Sequence, residues 1–373
     1  MKIAIVPAGP AWENAVKEFN SRLRVGKSEF FFPEYYEPKW LPKLPGRRIY
    51  QEIYLVVDQD AHAVHGGFIL KFQYYKIGTE VHKLAHLQLP LSEGLVNKAY
   101  HAMGMMIIRG AQEIEPNLYT MGMGGIHRTL PQGLKKSDWF CDLIPFYFKI
   151  LRAPGFMRNI VPYRNTTMRK TALDFLAMSG LGSLGLMLFD IVKPTKKISA
   201  QITCERFEEF GAWSDATWEK SKNEYDFVAE KDAPTQNILY PPHSKFIKIR
   251  VNRDNTVLGW AVLLVTPMTK HKYFGAMTVC TLVDCFGAKA DMQEIVACGL
   301  REAQKGKADV IISNQSNPVF VKIFKNLSFM STTSNYGHCM SPEIMEILGE
   351  TKTRTFELNS HLNRGDGDGP LSL

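Results

Sequence analysis

The stretch that most limits what this chain can become lies between Lys245 and Met330. Two runs rich in β-branched and aromatic residues, Phe246–Val251 and Val257–Val265, flank Asn252-Arg253-Asp254-Asn255, a cluster that favours chain reversal. The pair reads as a hairpin. A third strand, Met277–Val283, leads through Asp-Cys-Phe-Gly into a helix over 291–304, where Met292, Ile295, Val296, Gly299, Leu300 and Ala303 fall at helical spacing. A fourth strand, Asp309–Ser313, follows. Asn317 then stands where an N-cap belongs and Pro318 at the first helical position, with Val319, Phe320, Ile323, Phe324 and Leu327 on one face. The order is strand, strand, strand, helix, strand, helix.

The same order occurs earlier in the chain. Ile49–Asp58 and Ala63–Phe72 match the hairpin, and Lys83–Pro90 matches the third strand. Tyr100, Met103, Ile107, Ala111 and Ile114 mark a helix, and Asn117–Met121 a strand. Pairing Gly67 with Gly259, Gly94 with Gly287 and Trp139 with Phe329 gives offsets of 192, 193 and 190 residues. That period is too long for a solenoid and suits two tandem domains. A chain of 373 residues, 45% hydrophobic and 22% charged, holds enough apolar material for two cores. Before the first hairpin, Lys2–Val6 reads as a strand, and Ala11, Ala15, Val16, Phe19 and Leu23 form the stripe of a helix begun at Pro10.

This order, together with Asn317-Pro-Val-Phe-Val-Lys-Ile-Phe-Lys-Asn-Leu-Ser-Phe329, resembles the second half of a GNAT acyltransferase domain. The late helix of that superfamily carries an Asn, a later aromatic, and a small residue before a closing aromatic. Lys231-Asp-Ala-Pro-Thr-Gln-Asn-Ile-Leu-Tyr240 resembles a segment of tandem-GNAT proteins linked to exopolysaccharide assembly, and the doubled arrangement resembles the Fem-type aminoacyl transferases. The resemblance implies an α+β fold of two tandem GNAT-like domains, each a mixed, mostly antiparallel central sheet flanked by helices. They would occupy residues 1–145 and 198–357, with a basic, apolar connector at 146–197 and a mobile tail at 358–373.

The implied activity is transfer of an acyl group from acyl-CoA, acetyl-CoA in the first instance, or from an aminoacyl donor. The acceptor would be an amine on a small molecule or on a cell-surface glycan or peptide precursor, with no metal. In that superfamily a glycine-rich loop between third strand and helix holds the pyrophosphate on backbone N–H groups. Ser92 and Gly94 occupy that place in the first half, and Gly287, Ala288 and Lys289 in the second. Neither loop carries the full pattern of a basic residue followed by spaced glycines, and Glu93 would repel phosphate. Asp284 and Glu93, at comparable positions, are candidate bases for the amine; each also reads as a solvated loop carboxylate or a helix N-terminal charge. Where the family places a tyrosine to protonate the leaving thiolate this chain has Phe324, which leaves Tyr336 as the candidate acid. His338 and Cys339 are neighbours in an extended segment and point apart, so they make a poor dyad. The eroded loops keep open a second reading, a catalytically inactive scaffold that binds a sugar, lipid or peptide.

The remaining segments set expectations of their own. Six cysteines without a CxxC pair or a His-containing cluster read as free core thiols of a cytoplasmic protein, and the N-terminus lacks the apolar core of a signal peptide. The net charge of +8 is concentrated: residues 141–200 hold nine Lys and Arg against three acids. No nucleic-acid module accompanies that charge, so a nucleic acid is not expected as the partner. Aromatics interleaved with Arg and Lys over 144–170 suit peripheral contact with an anionic membrane at the inner membrane surface, and equally suit packing between domains. The uncharged run Phe175–Phe189 is too short to cross a bilayer and is expected to be a buried linker helix. The proline-rich aromatic stretch 30–42 is a loop, either packed or lining a cleft, and the glycines of 121–125 suit a close ligand approach or a bulge. Ile198–Thr203 reads as a strand, followed by a helix from Ser214 carrying Trp218, Ser221, Tyr225 and Val228. The oligomeric state is open.

Overall fold

A computed structural model describes residues 2–192, 198–349 and 359–368. The chain divides into two compact units, residues 1–143 with 337–354 and residues 144–336 with 355–373.

In unit 1, β1 (Ile3–Pro7) leads to α1 (Glu13–Val25), the hairpin β2 (Tyr50–Asp58) and β3 (Ala63–Ile77), β4 (Glu80–Ser92), α2 (Met103–Ile114), β5 (Leu118–Met121), α3 (Thr129–Lys136) and β6 (Phe140–Leu143). The sheet runs β1-β2-β3-β4-β5, then Gly337–Met340, then β6. Along this run of strands only the β4–β5 neighbours are parallel; Ser360–His361 and Phe227–Ala229 make a further short parallel pair. Phe68, Leu70 and Phe72 pack with Ile107, Ile108 and Ala111 of α2. In a separate cluster Ile53, Leu55 and Val64 meet Ala15, Val16, Phe19 and Leu23, the stripe expected for α1.

Unit 2 opens with β7 (Phe146–Ile150), α4 (Ala153–Asn159), α5 (Thr167–Met178) and α6 (Leu181–Val192). β8 (Ile202–Arg206), α7 (Ala212–Ser221), β9 (Phe227–Ala229) and α8 (Ala233–Leu239) follow. The rest is β10 (Phe246–Arg253), β11 (Thr256–Pro267), β12 (Thr278–Gly287), α9 (Met292–Lys305), β13 (Val310–Asn314), α10 (Val319–Asn326) and β14 (Met330–Thr332). The sheet order is β8-β10-β11-β12-β13-β7-β14, and again only the pair flanking the crossover helix, β12 and β13, is parallel. The hairpin, third strand, crossover helix and fourth strand read from the sequence all form, within a few residues of the expected bounds. The expected helix from Ser214 stops at Ser221, so Tyr225 and Val228 lie beyond it, Val228 in β9.

Chain order and sheet order part at one place in each sheet. β7, the start of the stretch expected to be a connector, pairs with β13 and β14 as a full strand of unit 2. Gly337–Met340, which follows β14 directly in the chain, pairs with β5 and β6 of unit 1. Within the stretch 144–170, residues 146–150 are committed to a sheet, with Tyr147 stacked on Phe324 at 4.3 Å in the core.

Three further expectations are corrected. Cys141 is disulfide-bonded to Cys339 and Cys204 to Cys298, leaving Cys280 and Cys285 as free buried thiols. Local spacing carried no sign of this, since the partners are 198 and 94 residues apart. The run 175–189 is not a buried helix: Phe175 is 63% exposed and Met187 59%. The tail is not mobile over 359–368, where Ser360, His361, Leu362, Asn363 and Asp366 are completely buried; polar hydrogen bonding holds it, which apolar periodicity could not reveal.

The glycines used to align the two halves share one physical role. A Cβ on Gly67 would lie 2.7 Å from the Tyr54 carbonyl oxygen of the paired strand, and one on Gly259 would lie 2.2 Å from that of Phe286. Both stand beside irregularities of register, between Gly67 and Ile69 in one sheet and between Val251 and Asn252 in the other. Gly67→Ala and Gly259→Ala are each expected to destabilise the protein by about 1–3 kcal/mol, measured by denaturant unfolding, because the new methyl meets backbone that cannot move away cheaply.

Candidate functional site

The parallel pair in each sheet parts along its length, and the gap so formed is where a ligand would enter. In unit 2, β12 and β13 pair only from Val279 with Val310 to Leu282 with Ser313. Val283 is then an extra residue, because Val262 pairs with Asp284 while Leu263 pairs with Leu282. Such a bulge bends its strand away from the neighbour.

The unit's own C-terminal segment fills that gap. Asn363 bridges Gln315, the Ser316 amide donates to the Leu362 carbonyl at 3.0 Å, and the His361 ring lies 2.7 Å from the Cys285 carbonyl oxygen. Asp284, a candidate base, is wholly buried here. Lys231 Nζ lies 2.8 Å from Asp284 and 2.9 Å from Asp366, while Asn363 Nδ2 and the Tyr240 hydroxyl donate to Asp284 at 2.7 and 3.1 Å. Burial, helped by the neighbouring Asp366 carboxylate, raises the Asp284 carboxyl above its usual range against the pull of the Lys231 ammonium. Burial alone would lower Lys231, but the two carboxylates outweigh it and hold the ammonium above its usual range. Both carboxylate oxygens of Asp284 are thus bonded to protein groups. Tyr336, the candidate acid, has the Arg364 guanidinium 5.2 Å from its ring centroid, and burial pushes its hydroxyl up.

The loop that would hold a pyrophosphate in unit 2 is also taken. The Lys289 amide donates to the Glu224 carboxylate at 2.8 Å, so an acidic side chain sits where phosphate would. Lys289 Nζ is bonded to Asn359 Oδ1 and lies 5.2 Å from the Tyr225 ring centroid. Gly287 and Ala288 lead into this turn without room to spare; a Cβ on Gly287 would lie 2.6 Å from the Leu258 carbonyl oxygen.

Unit 1 is arranged differently. β4 and β5 pair only at Ala85 with Leu118 and His86 with Tyr119. His86 Nε2 then accepts from the Met121 amide at 3.1 Å, so a side chain takes over where β4 leaves. Burial, then the Lys71 and His338 charges, push His86 well below its usual range, which keeps the ring neutral and able to accept. Beyond the parting Leu89 stands at φ 45°, a backbone strain that non-glycine residues adopt where the surroundings impose it.

At the end of β4, Ser92 and Glu93 are buried and Gly94 is packed against the Tyr100 carbonyl. Glu93 does not face phosphate. Its carboxylate is 2.8 Å from His65 Nδ1 and 3.0 Å from Arg22 Nε, and Arg22 also donates to the Val64 carbonyl at 2.5 Å. His65 is the extra residue between Val64 and Gly66 in β3, and its ring stacks on Tyr100 at 4.4 Å. The Nδ1 edge of the His65 ring thus faces the Glu93 carboxylate, which fixes the orientation of the imidazole. A carboxylate-oriented imidazole of this kind is the usual form of a general base. Sequence reading found Glu93 and missed His65, for which the signal was weak: a His before two glycines in a strand.

The loop that follows ends at the first turn of α2, where N–H groups lack intrahelical acceptors. No atom lies within 4 Å of the place a Gly104 Cβ would take, and Lys98 and His101 are exposed beside it. Among the described residues no group of three or more His, Cys, Asp or Glu could hold a metal ion.

Two outcomes follow for unit 2. Lys231→Met leaves two buried carboxylates without their cation, and should lower the unfolding free energy by about 3–5 kcal/mol. His361 is buried as a neutral ring, with its pKa lowered from 6.5 to about 4 chiefly by burial. Because the unfolded chain takes up that proton first, its stabilising effect is complete above pH 6.5 and fades toward pH 4. Denaturant unfolding should show a loss of about 3 kcal/mol across that window that His361→Gln lacks.

No protein-family model matches the chain, and no curated protein matches it in sequence. Solved structures do. Saccharomyces cerevisiae N-myristoyltransferase with bound myristoyl-CoA and inhibitors matches over 91% of this chain and 79% of its own, at 11% identity and a TM-score of 0.50. A GCN5-related N-acetyltransferase from Anabaena variabilis matches over 91% and 72%, at 8% identity and a TM-score of 0.53. The GCN5-related glucosamine N-acetyltransferase region of a fungal multi-domain GH3 β-N-acetylglucosaminidase matches over 91% and 38%, at 10% identity and a TM-score of 0.52. At such identities the likeness is one of fold, and the fold is that of the GNAT N-acyltransferases, carried by two GNAT-like domains.

Proposed function

We propose that this protein is an N-acyltransferase in which unit 1 binds the acyl-CoA donor and unit 2 has become structural. The observation that carries the reading is a contrast between the segments that lead into the two crossover helices. In unit 2 the Lys289 amide is taken by Glu224 and the gap by the segment 359–366. In unit 1 the first turn of α2 is open at Gly104, beside Lys98 and His101. Unit 1 runs strand, helix, hairpin, strand, helix, strand, helix, strand with a bulged hairpin, and unit 2 repeats that order from β8 onward with β9 and α8 inserted before its hairpin. That supports descent from one duplicated domain, as in the Fem-like and exopolysaccharide-associated groups.

In the reaction we propose, an acceptor amine attacks the thioester carbonyl carbon, a C–N bond forms, and the C–S bond breaks as the CoA thiolate leaves. His65 takes the amine proton at Nε2, directly or through one water, and Glu93 stabilises the imidazolium that results. The thiolate is protonated from solvent. The acceptor is an amine on a cell-surface glycan or peptide precursor. The glucosamine N-acetyltransferase activity in the name of one structural neighbour fits that class.

Titration calorimetry with acetyl-CoA and myristoyl-CoA tests the donor site. Gly104→Glu should weaken binding about tenfold by placing an anion at the helix N-terminus, whereas Lys289→Ala should leave it unchanged. His65→Ala should keep donor binding and lower the release of free CoA onto an amine panel by about 10²–10⁴-fold. No binding of either thioester at millimolar concentration would favour the inactive scaffold.

A further inference from the structure

The apolar surface left by α4, α5 and α6 has no use in the acyl-transfer reading. Phe156, Ile160 and Leu173 pack with Met277, Val279, Val310 and Ile312 on the sheet. The opposite side of these helices is bare. On α5, Met168, Phe175 and Met178 are 80%, 63% and 77% exposed; on α6, Leu181, Leu184, Leu188 and Ile191 are 48–62% exposed. Both sets fall at helical spacing, so each helix shows one continuous apolar stripe. A globular surface scatters its exposed apolar residues; a contiguous set this large marks an interaction site.

Charge identifies the partner. Arg158, Arg169 and Lys170 are exposed around the stripes, and Arg164 is held by Asp174 through hydrogen bonds of 2.8 and 3.0 Å. Residues 152–192 hold five Lys and Arg against two acids, Asp174 and Asp190. A second copy of the chain would bring cations against cations across a twofold contact. An anionic bilayer offers both an apolar interior and the opposite charge.

Length and shape set the depth. No helix among the described residues is long and apolar enough to cross a membrane, and α5 and the first eight residues of α6 meet at a bend of 77°. Each of these helices is roughly 18 Å long against a hydrocarbon core of ~30 Å. We infer that α5 and α6 form a peripheral docking surface for an anionic membrane, entering the interface with Met168, Phe175, Met178, Leu184 and Leu188 while Arg158, Arg169 and Lys170 meet the headgroups. The contact lies on 158–191, not on the strand residues 146–150, and does not depend on the acyl-transfer reading.

The test is cosedimentation of the full chain with vesicles of phosphatidylcholine, alone or mixed with phosphatidylglycerol. The protein should sediment with the mixed vesicles, more weakly with phosphatidylcholine alone, and less at high salt. Phe175→Glu with Leu188→Glu should reduce binding by about tenfold or more, with circular dichroism unchanged. Arg169→Glu with Lys170→Glu should abolish the preference for phosphatidylglycerol. Absence of binding to mixed vesicles, or full binding by the Phe175→Glu, Leu188→Glu variant, would overturn the inference. So would a vesicle-free dimer that this variant converts to monomer, since the apolar face would then belong to a second copy.

Discussion

The gap in each sheet exists because a short strand is held from its far side. β5 and β13 each meet their parallel neighbour over only part of its length, at Ala85 and His86 in one unit and from Val279 to Leu282 in the other. A strand paired so briefly would be an exposed edge and would fray. Gly337–Met340 binds the other side of β5, and β7 the other side of β13, so the diverging strands stay in place while their neighbours bend away. Each of these holding strands comes directly after the last strand of the other unit's sheet order, which makes unit 1 dependent on residues far down the chain.

The two gaps have opposite contents. In unit 2 two carboxylates and one ammonium are fully buried, together with Asn363, Tyr240 and His361, and the segment that carries His361, Asn363 and Asp366 is ordered by hydrogen bonds to residues of both parted strands and the loop after them. Such a network is worth little as net stability, yet removing one member is costly, which suits a fixed structural plug better than a changing catalytic site. In unit 1 the charges sit at the end of β4, where Glu93 is bonded to both Arg22 and His65. The family resemblance pointed to a tyrosine on the late helix as the acid. In this chain that place, Phe324, is wholly buried and packed against Tyr147, Phe320 and Phe329, and contributes only to the core.

Much of the fold was legible because its signals are local. The stripe Ala15, Val16, Phe19 and Leu23, the α9 stripe from Met292 to Ala303 and the Asn252–Asn255 turn each depend on residues a few positions apart. The site was legible only as a set of loops. Glu93 and Asp284 were found as carboxylates at strand ends, but their environments differ through Arg22, His65, Lys231 and Asp366, which approach from distant parts of the chain. The buried tail 359–368 was misread because a polar segment is ordered by partners, not by its own periodicity.

The amino-acid order alone determined two sheets with a helix-connected parallel pair in each, since alternation, helical stripes and turn residues act over neighbouring positions. Tertiary structure decided which sheet receives β7 and Gly337–Met340, which gap is filled, and that the imidazole beside Glu93 belongs to His65. Those outcomes depend on hydrogen bonds between residues tens to hundreds of positions apart, and such pairings leave no periodic trace in the sequence.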